Sequence, residues 1–175
     1  AAFANHVIKW LAATPRPAAV LPIEQIHLIG IPVFANAFPS GHAINAFALA
    51  SIVALSARSP LRMAKVTLPL ATLIAVSRIA VGAHWPIDIV FGACFGWMCG
   101  VAGTFLTRQY QGWRRPAIVR ATAVCLAAAG LALLLIDFGA PNTKPLQQAL
   151  ALIVAGTSIL AIAKPQYVLD AGNAQ

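Results

Sequence analysis

Five long apolar stretches most constrain how this chain can fold. They cover roughly Gly41–Ala57, Leu61–Gly82, Pro86–Thr107, Pro116–Ile136 and Leu146–Ala163. About 20 helical residues, each rising ~1.5 Å, cross the hydrocarbon core of a bilayer. The first and last stretches are short for this task, so we expect tilt or local thinning of the bilayer there. The pattern predicts an all-α, polytopic transmembrane helical bundle.

The composition supports the same class of protein. Of the 175 residues, 60% are hydrophobic and only 9% are charged, and the mean hydropathy is +0.81. So little polar surface cannot cover a soluble globule, which predicts an integral membrane protein. The three cysteines all lie in the apolar stretches, without the spacing of metal ligands. We therefore interpret them as packing residues and not as a disulfide framework or zinc site.

The basic residues indicate an orientation in the membrane. Most of them lie at the ends of the apolar stretches on one side, namely Arg58, Arg62, Lys65, Arg108, Arg114, Arg115 and Arg120. The positive-inside rule makes these ends cytoplasmic. Much of the net charge of +8 then sets topology and contacts anionic lipid headgroups. Basic and aromatic residues are not interleaved as in nucleic-acid grooves, so membrane lipids are expected partners and nucleic acid is not.

Three separated segments carry candidate chemistry, namely Lys9–Pro17, Phe38–His42 and Ser77–Asp88. Their patterns are K-x6-R-P, P-S-G-H and S-R-x5-H-x3-D. Because successive spans alternate in direction, the motifs at the ends of three spans should meet on one side of the membrane, at the outer face. Together they supply three cations, a Ser-Gly helix start, two histidines and a carboxylate. This set suits the binding of an anionic phosphoryl group.

The cationic and Ser-Gly motifs each allow a structural and a functional interpretation. Ser40 can cap a helix whose free backbone N–H groups bind an anion, or it can be an ordinary N-cap. Lys9 and Arg16 can reach a common anion or can extend along the membrane interface. Pro15 and Pro17 favour an extended or broken segment at Arg16. Arg78 lies in an apolar run, where an unpaired cation is costly, so we expect an anionic partner for it.

The histidine and carboxylate of the third motif are four residues apart. On a helix, Asp88 would lie one turn from His84 and hold the proton of one ring nitrogen, leaving the other nitrogen free to attack phosphorus. The alternative is a helix-entry histidine with an aspartate in the favourable first turn.

A row of small residues continues at the same spacing, formed by Gly92, Gly96 and Gly100. Such a row lets a neighbouring helix approach closely. We expect it to pack against the helix that carries Ser77 and Arg78.

These motifs resemble the type-2 phosphatidic acid phosphatase superfamily, which includes membrane lipid phosphatases, glucose-6-phosphatase and vanadium haloperoxidases. The matching positions are Lys9, Arg16, Pro17, Pro39, Ser40, Gly41, His42, Ser77, Arg78, His84 and Asp88. The resemblance implies a membrane phosphatase that hydrolyses a lipid phosphate or diphosphate monoester through a phosphohistidine. In this scheme His84 attacks phosphorus, Asp88 orients His84, and His42 protonates the leaving oxygen. The phosphate is bound by Lys9, Arg16, Ser40, Gly41 and Arg78.

No cofactor is expected, because the cations take the place of a metal and one nearby carboxylate offers too few oxygen ligands for magnesium. The resemblance also implies a bacterial inner membrane, and the positive-inside rule then makes the active site face the periplasm or exterior. A lipid phosphotransferase would use the same intermediate, and a non-catalytic membrane scaffold is the alternative outside enzymes. A soluble haloperoxidase does not fit the hydropathy of this chain.

The predicted organisation has two parts. Residues 1–107 form a phosphatase catalytic core, and residues 108–175 add two transmembrane helices and a tail. The segment Ala1–Trp10 resembles the end of an earlier span, so preceding spans are expected to be missing from this sequence. Between the first two motifs, Ile23–Ile31 is a candidate for a short interfacial helix.

Overall fold

The computed structural model describes residues 2–29, 32–110, 112, 115–136, 144–167 and 169. Within these residues the regular structure is helical, without a β-strand. The helices are α1 (Ala2–Ala12), α2 (Pro17–Val20), α3 (Gly41–Ser56), α4 (Pro60–Ala80), α5 (Pro86–Gln109), α6 (Pro116–Leu135) and α7 (Lys144–Ala163). The prediction of an all-α fold of membrane-length helices is confirmed.

Among the described residues, four helices, α4 to α7, are long and apolar enough to cross a membrane. Helix α3 is apolar as well but has only 16 residues, in keeping with the expectation that the first span is short. Large apolar side chains such as Leu73, Phe105 and Leu160 are 60% or more exposed. A surface so rich in exposed aliphatic and aromatic groups suits contact with lipid chains better than contact with water.

The local sequence explains where the long helices begin. Pro60, Pro86 and Pro116 each occupy the first position of a helix, where proline has a favourable φ angle and its missing N–H is not needed. Helix α3 begins differently. Ser40 is its N-cap, and the Ser40 hydroxyl accepts a hydrogen bond from the backbone N–H of Ala43 at 3.4 Å. The predicted helix cap is therefore present.

The structure divides into two compact units, residues 1–108 and 109–175. In the first unit the three glycines of α5 lie against α3. A Cβ atom at Gly92 would come within 2.9 Å of the Ala43 side chain, and one at Gly96 would collide with the backbone carbonyl of Ile44. The expected packing of this row against the helix of Ser77 and Arg78 is therefore wrong. The spacing correctly indicated a closely packed helix face, but the Ala43 side chain and the Ile44 backbone that the glycines contact belong to α3.

The second unit pairs α6 with α7. Gly130 of α6 would bring a Cβ atom within 3.3 Å of the backbone oxygen of Ala151 and of the Val154 side chain. The Gln147 side-chain amide donates hydrogen bonds to the carbonyls of Leu133 and Ile136, each at 2.5 Å. These carbonyls lie at the end of α6, where the helix itself provides no partners.

The predicted interfacial helix at 23–31 is wrong over its described part. Only a 3₁₀ turn forms, over Ile23–Gln25. The N–H of Leu28 then donates to the carbonyl of Ile26 at 3.0 Å, and that of Ile29 donates to Val81 at 3.5 Å. The backbone is thus paired with the turn after α4 and cannot continue a helix. Of the predicted cytoplasmic basic residues, Arg114 lies outside the described residues.

Candidate active site

A cavity of about 550 Å³ lies in the first unit, between the ends of α1, α3 and α4 and the turn before α5. Six of the eight predicted site residues line it, namely Lys9, Arg16, Gly41, His42, Arg78 and His84. The other two, Ser40 and Asp88, are completely or almost completely buried. The structure therefore brings together residues that are up to 75 positions apart in the sequence, counted from Lys9 to His84.

The turn between α4 and α5 holds the His84 side chain. The backbone N–H groups of Ala83 and His84 both donate to the carbonyl of Arg78, at 3.0 and 3.2 Å. Before them, Gly82 adopts φ +67°, in the left-handed region that favours glycine, and a Cβ atom there would lie 3.2 Å from the His27 carbonyl. This tight turn fixes the position of His84 relative to Arg78.

Asp88 lies one helical turn beyond His84 and contacts its ring. The Asp88 Oδ2 atom is 3.2 Å from His84 Nδ1 and accepts a hydrogen bond from the Trp85 backbone N–H at 2.9 Å. A carboxylate only accepts hydrogen bonds, so Nδ1 must carry the proton. The other ring nitrogen, Nε2, is then left with its lone pair.

The surroundings of His84 keep its imidazole neutral. Burial, and then the charge of Arg16, lower the pKa of His84 from its ordinary value of 6.5 to about 4, although the hydrogen bond to Asp88 opposes this shift. Burial disfavours the charged imidazolium, and so do nearby cations. Near neutral pH His84 is therefore an uncharged base with one free nitrogen, which is the form that a nucleophile needs.

The beginning of α3 is tied to the same histidine–carboxylate pair. The Ser40 backbone N–H donates to the carbonyl of Asp88 at 3.1 Å, so the P-S-G-H turn and the start of α5 are held together. The Ser40 hydroxyl is buried and engaged in capping. Its predicted contact with phosphate remains a prediction, whereas Gly41 and His42 do line the cavity.

Position 41 has little room for a side chain. A Cβ atom there would lie 3.0 Å from the Asn5 side-chain amide of α1. A glycine lets α1 approach the beginning of α3, whose free N–H groups form a site suited to an anion.

Lys9 and Arg16 are positioned by backbone carbonyls, most of them in the loop before α3 and one in the turn before α5. The Lys9 Nζ atom donates to Asn36 at 2.6 Å, and Arg16 donates to Ala35 at 2.9 Å and to Ala83 at 3.2 Å. Asn36 adopts φ +57°, a left-handed conformation that asparagine tolerates better than most residues. This bend turns its carbonyl toward Lys9, so the loop aims both cations at the cavity.

Arg16 lies in extended backbone, with φ −85° and ψ 163°, between α1 and α2. The prediction of a broken helix between the two prolines is confirmed. The segment is held on both sides: the Arg16 N–H donates to Phe34 at 3.0 Å, and the Trp85 indole donates to the Pro15 carbonyl at 2.9 Å. Trp85 thus links the first motif to the third.

Arg78 is half-buried at the end of α4. Within the described part of the chain, no group forms a hydrogen bond with its buried Nε atom. A guanidinium offers five donors in a planar fork that matches two phosphate oxygens. An anion in the cavity would therefore satisfy a group that the protein leaves unpaired.

The described residues contain no group of three or more His, Cys, Asp and Glu side chains that could hold a metal ion. What the cavity does present is three cations, a neutral imidazole, a second histidine and the start of a helix. This combination can bind a phosphoryl group and attack it at phosphorus.

Sequence reasoning missed part of the cavity. Asn45, Ala46, Leu49 and Ile74 also line it, below His42 along α3 and α4. Helical spacing could have found the α3 residues, because positions three and seven beyond His42 lie on its side of the helix. The same spacing places Ile74 four residues before Arg78 on α4, whereas its approach to the α3 residues depends on how α4 packs against α3.

Comparison with known proteins agrees with this geometry. A family model described as the PAP2 superfamily matches residues 1–115. The chain therefore belongs to the PAP2 superfamily, which confirms the resemblance to type-2 phosphatidic acid phosphatases. It is also 35% identical over 107 residues to an undecaprenyl-diphosphatase of Sulfolobus acidocaldarius. That alignment covers 61% of this chain and 48% of the relative, so the chain spans about half the length of the curated relative it matches. No solved structure matches the chain.

Proposed function

We propose that the protein is a membrane phosphatase that removes the terminal phosphoryl group of a lipid phosphate or diphosphate monoester. The observation that carries this proposal is the His84–Asp88 pair, whose neutral imidazole opens onto a cavity lined by three cations. Membership of the PAP2 superfamily and the likeness to an undecaprenyl-diphosphatase support the same reaction class.

In the first step, Nε2 of His84 attacks phosphorus while the bond from phosphorus to the leaving oxygen breaks. A P–N bond replaces a P–O bond, and the product on the enzyme is phosphohistidine. His42, protonated while the anionic substrate faces it, gives its proton to the leaving oxygen. The lipid leaves as an alcohol, or as a monophosphate when the substrate is a diphosphate. Asp88 keeps the proton on Nδ1 and stabilises the positive charge that develops on the ring.

In the second step, the neutral His42 takes a proton from a water molecule. The water oxygen attacks phosphorus, and the electron pair of the breaking P–N bond returns to His84 Nε2. Inorganic phosphate is formed, and both histidines recover their starting states. Each histidine thus has a separate duty, nucleophile for His84 and acid and base for His42.

The cations act on the charge of the transferring group. In phosphoryl transfer, charge spreads over the three non-bridging oxygens of the phosphoryl group, so fixed cations and backbone N–H groups that face these oxygens lower the barrier. Lys9, Arg16, Arg78 and the Gly41 N–H are the groups that we assign to this task. Ser40 contributes through the turn that positions Gly41, in addition to its proposed contact with phosphate.

The membrane-length helices support a lipid as the substrate, because a lipid headgroup would meet the cavity at the end of the spans. We further propose a bacterial inner membrane, with the cavity facing the periplasm or exterior, on the basis of the basic residues at the opposite ends of the spans. Residues 1–107 would then be the catalytic core, and α6 and α7 an addition to it.

The experiment that tests the reaction is a phosphate-release assay with the purified protein in detergent. The panel contains phosphatidate, phosphatidylglycerophosphate, lipid A and a polyprenyl diphosphate. We expect release from at least one of them, abolished by His84→Ala and retained by His27→Ala, a matched replacement of an exposed histidine outside the cavity. Loss of substrate without phosphate release, but with a new phosphorylated lipid, would identify a phosphotransferase instead. No reaction with any substrate would contradict the proposal.

Orientation is tested separately with single cysteines in a variant that lacks Cys94, Cys99 and Cys125. Val33 lies in the exposed loop before α3, and Ser59 lies in the exposed connection at the other end of α3. In intact spheroplasts, an impermeant thiol reagent should label Val33→Cys and spare Ser59→Cys. The opposite labelling pattern would place the substrate in the inner leaflet.

A further inference from the structure

The cavity continues from the catalytic histidines into a groove between α3 and α4. Its lower lining consists of Asn45, Ala46 and Leu49 from α3 and Ile74 from α4. At about 550 Å³, the cavity has the size that proteins use for whole small ligands, about 300–1,000 Å³, so it holds more than one phosphoryl group. The groove should therefore receive the part of the substrate that follows the reacting phosphorus.

The residues of this groove follow one another along one side of α3. Asn45 is three residues beyond His42, and Leu49 is four residues beyond Asn45, a spacing that puts side chains on one helix face. At ~1.5 Å per residue, Leu49 lies about 6 Å further along the helix than Asn45. The substrate would thus meet an imidazole, then an amide and then aliphatic side chains.

The side-chain amide of Asn45 is exposed and forms no hydrogen bond within the described residues. Its side chain is solvent-exposed in the groove, and no hydrogen bond joins it to another described residue. Polar side chains within apolar spans tend to serve function. A polar ligand group at this level would satisfy the amide.

We infer that Asn45 binds the second phosphoryl group of a lipid diphosphate, an inference that rests on the proposed phosphatase function. His42 protonates the oxygen that bridges the two phosphoryl groups, so the second phosphorus lies on the His42 side of the reacting one. Asn45 is the next polar side chain on that side, and its NH₂ group can donate to a charged phosphate oxygen. Below it the lining becomes aliphatic.

This order of groups favours a diphosphate over a glycerophospholipid. A diacylglycerol carries two ester groups, which bring more polar atoms than one amide can satisfy. A diphosphate joined directly to a hydrocarbon chain needs one polar contact followed by an apolar groove. Leu49 and Ile74, which are 62% and 49% exposed, provide the start of that groove.

The test compares three substrates in the full chain: farnesyl diphosphate, farnesyl monophosphate and phosphatidate. The variants are Asn45→Leu, which keeps the size of the side chain but removes the amide, and Asn45→Gln, which retains the amide. For Asn45→Leu we expect kcat/KM to fall roughly 10- to 100-fold on farnesyl diphosphate, the usual effect of losing a hydrogen bond to a charged group. On farnesyl monophosphate it should change less than about threefold, and Asn45→Gln should recover part of the loss.

The monophosphate also reports whether the variant is folded. Equal losses on both farnesyl substrates, or no loss on either, would overturn the assignment of Asn45. A loss confined to phosphatidate would overturn it in favour of the glycerol backbone. If the wild-type protein releases phosphate only from a panel lipid other than these three, the assignment of Asn45 to a lipid diphosphate is overturned while the proposed function stands. If it releases phosphate from no substrate of either set, the proposed function itself fails, which is a different result from a failure of Asn45.

Discussion

The two units of the chain are both built from apolar helices but differ in the polar side chains at their helix ends. Both pack apolar helices through buried glycines, and among the residues that the structure describes it is the first unit that also gathers cations, histidines and a buried carboxylate at its helix ends. In the first unit a Cβ atom at Gly96 would collide with the Ile44 backbone, whereas in the second a Cβ atom at Gly130 keeps 3.3 Å from its neighbours. The tighter contact lies in the helix pair that positions Ser40, His42 and Asp88.

This difference connects packing with function. Helix α3 carries His42, and helix α5 begins two residues after His84 and contains Asp88. If α5 moved away from α3, the 3.1 Å hydrogen bond from Ser40 to Asp88 would be lost, and with it the alignment of the two histidines. The proposed catalysis would depend steeply on such alignment. The glycine row of α5 is therefore part of how the candidate site is built.

The largest expected effect comes from His84 in the first unit. His84→Ala removes the only atom that we assign to attack phosphorus, so phosphate release should fall to the background measured without enzyme. The measurement is release from the best substrate of the panel, with the matched control His27→Ala. Turnover by His84→Ala within tenfold of wild type would exclude His84 as the nucleophile.

His42→Ala should have a large but smaller effect. Without the acid that protonates the leaving oxygen, turnover should fall roughly 10²- to 10⁴-fold. A substrate with a good leaving group, such as an aryl phosphate, needs little protonation, so His42→Ala should still release the aryl alcohol rapidly in the first turnover, although the later attack of water stays slow. A first turnover of aryl phosphate slowed as much as that of the lipid substrate would contradict the role of general acid.

The packing contrast between the units is tested by Gly96→Ala and Gly130→Ala. Overpacking against rigid backbone typically costs 1–3 kcal/mol, so Gly96→Ala should lower both the melting temperature and the activity. For Gly130→Ala, the added methyl group makes a slightly close contact, which lowers stability, but the better helix propensity of alanine raises it by about 1 kcal/mol. The net change in stability should therefore be close to zero. Thermal denaturation followed by size-exclusion chromatography gives the comparison. Equal destabilisation by both variants would show that the α3–α5 and α6–α7 pairs are packed equally tightly at their glycines.

The pH dependence reports the environment of His84. The nucleophile must be neutral, and burial and Arg16 lower the pKa of His84 to about 4, so the acid limb of kcat/KM should fall near pH 4 and not near 6.5. Because unfolded chains bind this proton more readily, stability from this group is also lost as pH falls from about 6.5 toward 4. In Arg16→Gln the acid limb should move upward. An acid limb near 6.5 in the wild type, unmoved in Arg16→Gln, would count against this account.

The smallest expected effect is that of metal removal. The proposed mechanism uses cationic side chains and no metal, so EDTA should leave the rate of phosphate release within about twofold of that of the untreated protein. The loss of a catalytic group, by comparison, lowers the rate about 10²-fold or more. Vanadate, which resembles a phosphoryl group in transfer, should inhibit in competition with substrate. Activity lost on chelation and restored by magnesium would require a different mechanism.

Much of this fold could be predicted because long apolar runs have few structural solutions. Prolines and Ser40 mark the helix starts, and observed bounds such as Pro86–Gln109 lie close to the predicted spans. Most of the cavity could also be predicted, because family motifs with fixed spacing name Lys9, Arg16, His42, Arg78 and His84. Periodicity identifies a face of a helix, however, and not what packs against it. The partner of the glycine row was therefore predicted incorrectly.

The loop before α3 shows the same limit. Its backbone carbonyls at Ala35 and Asn36 hold Arg16 and Lys9, and main-chain groups leave no trace in side-chain patterns. Asn45 escaped notice for another reason. Its meaning depends on a groove that exists only once α3 and α4 are packed together.

The central claim, that His84 receives the phosphoryl group, is tested most directly by trapping the intermediate. Wild type, His84→Ala and His42→Ala are incubated with a radioactive aryl phosphate and quenched in alkali, in which phosphohistidine is stable. Acid treatment of a second sample should release the label, because phosphohistidine hydrolyses in acid. We expect labelled protein for wild type, label that persists or accumulates in His42→Ala, and none in His84→Ala. Label on His84→Ala together with an unlabelled His42→Ala would reverse the two assignments and contradict the account.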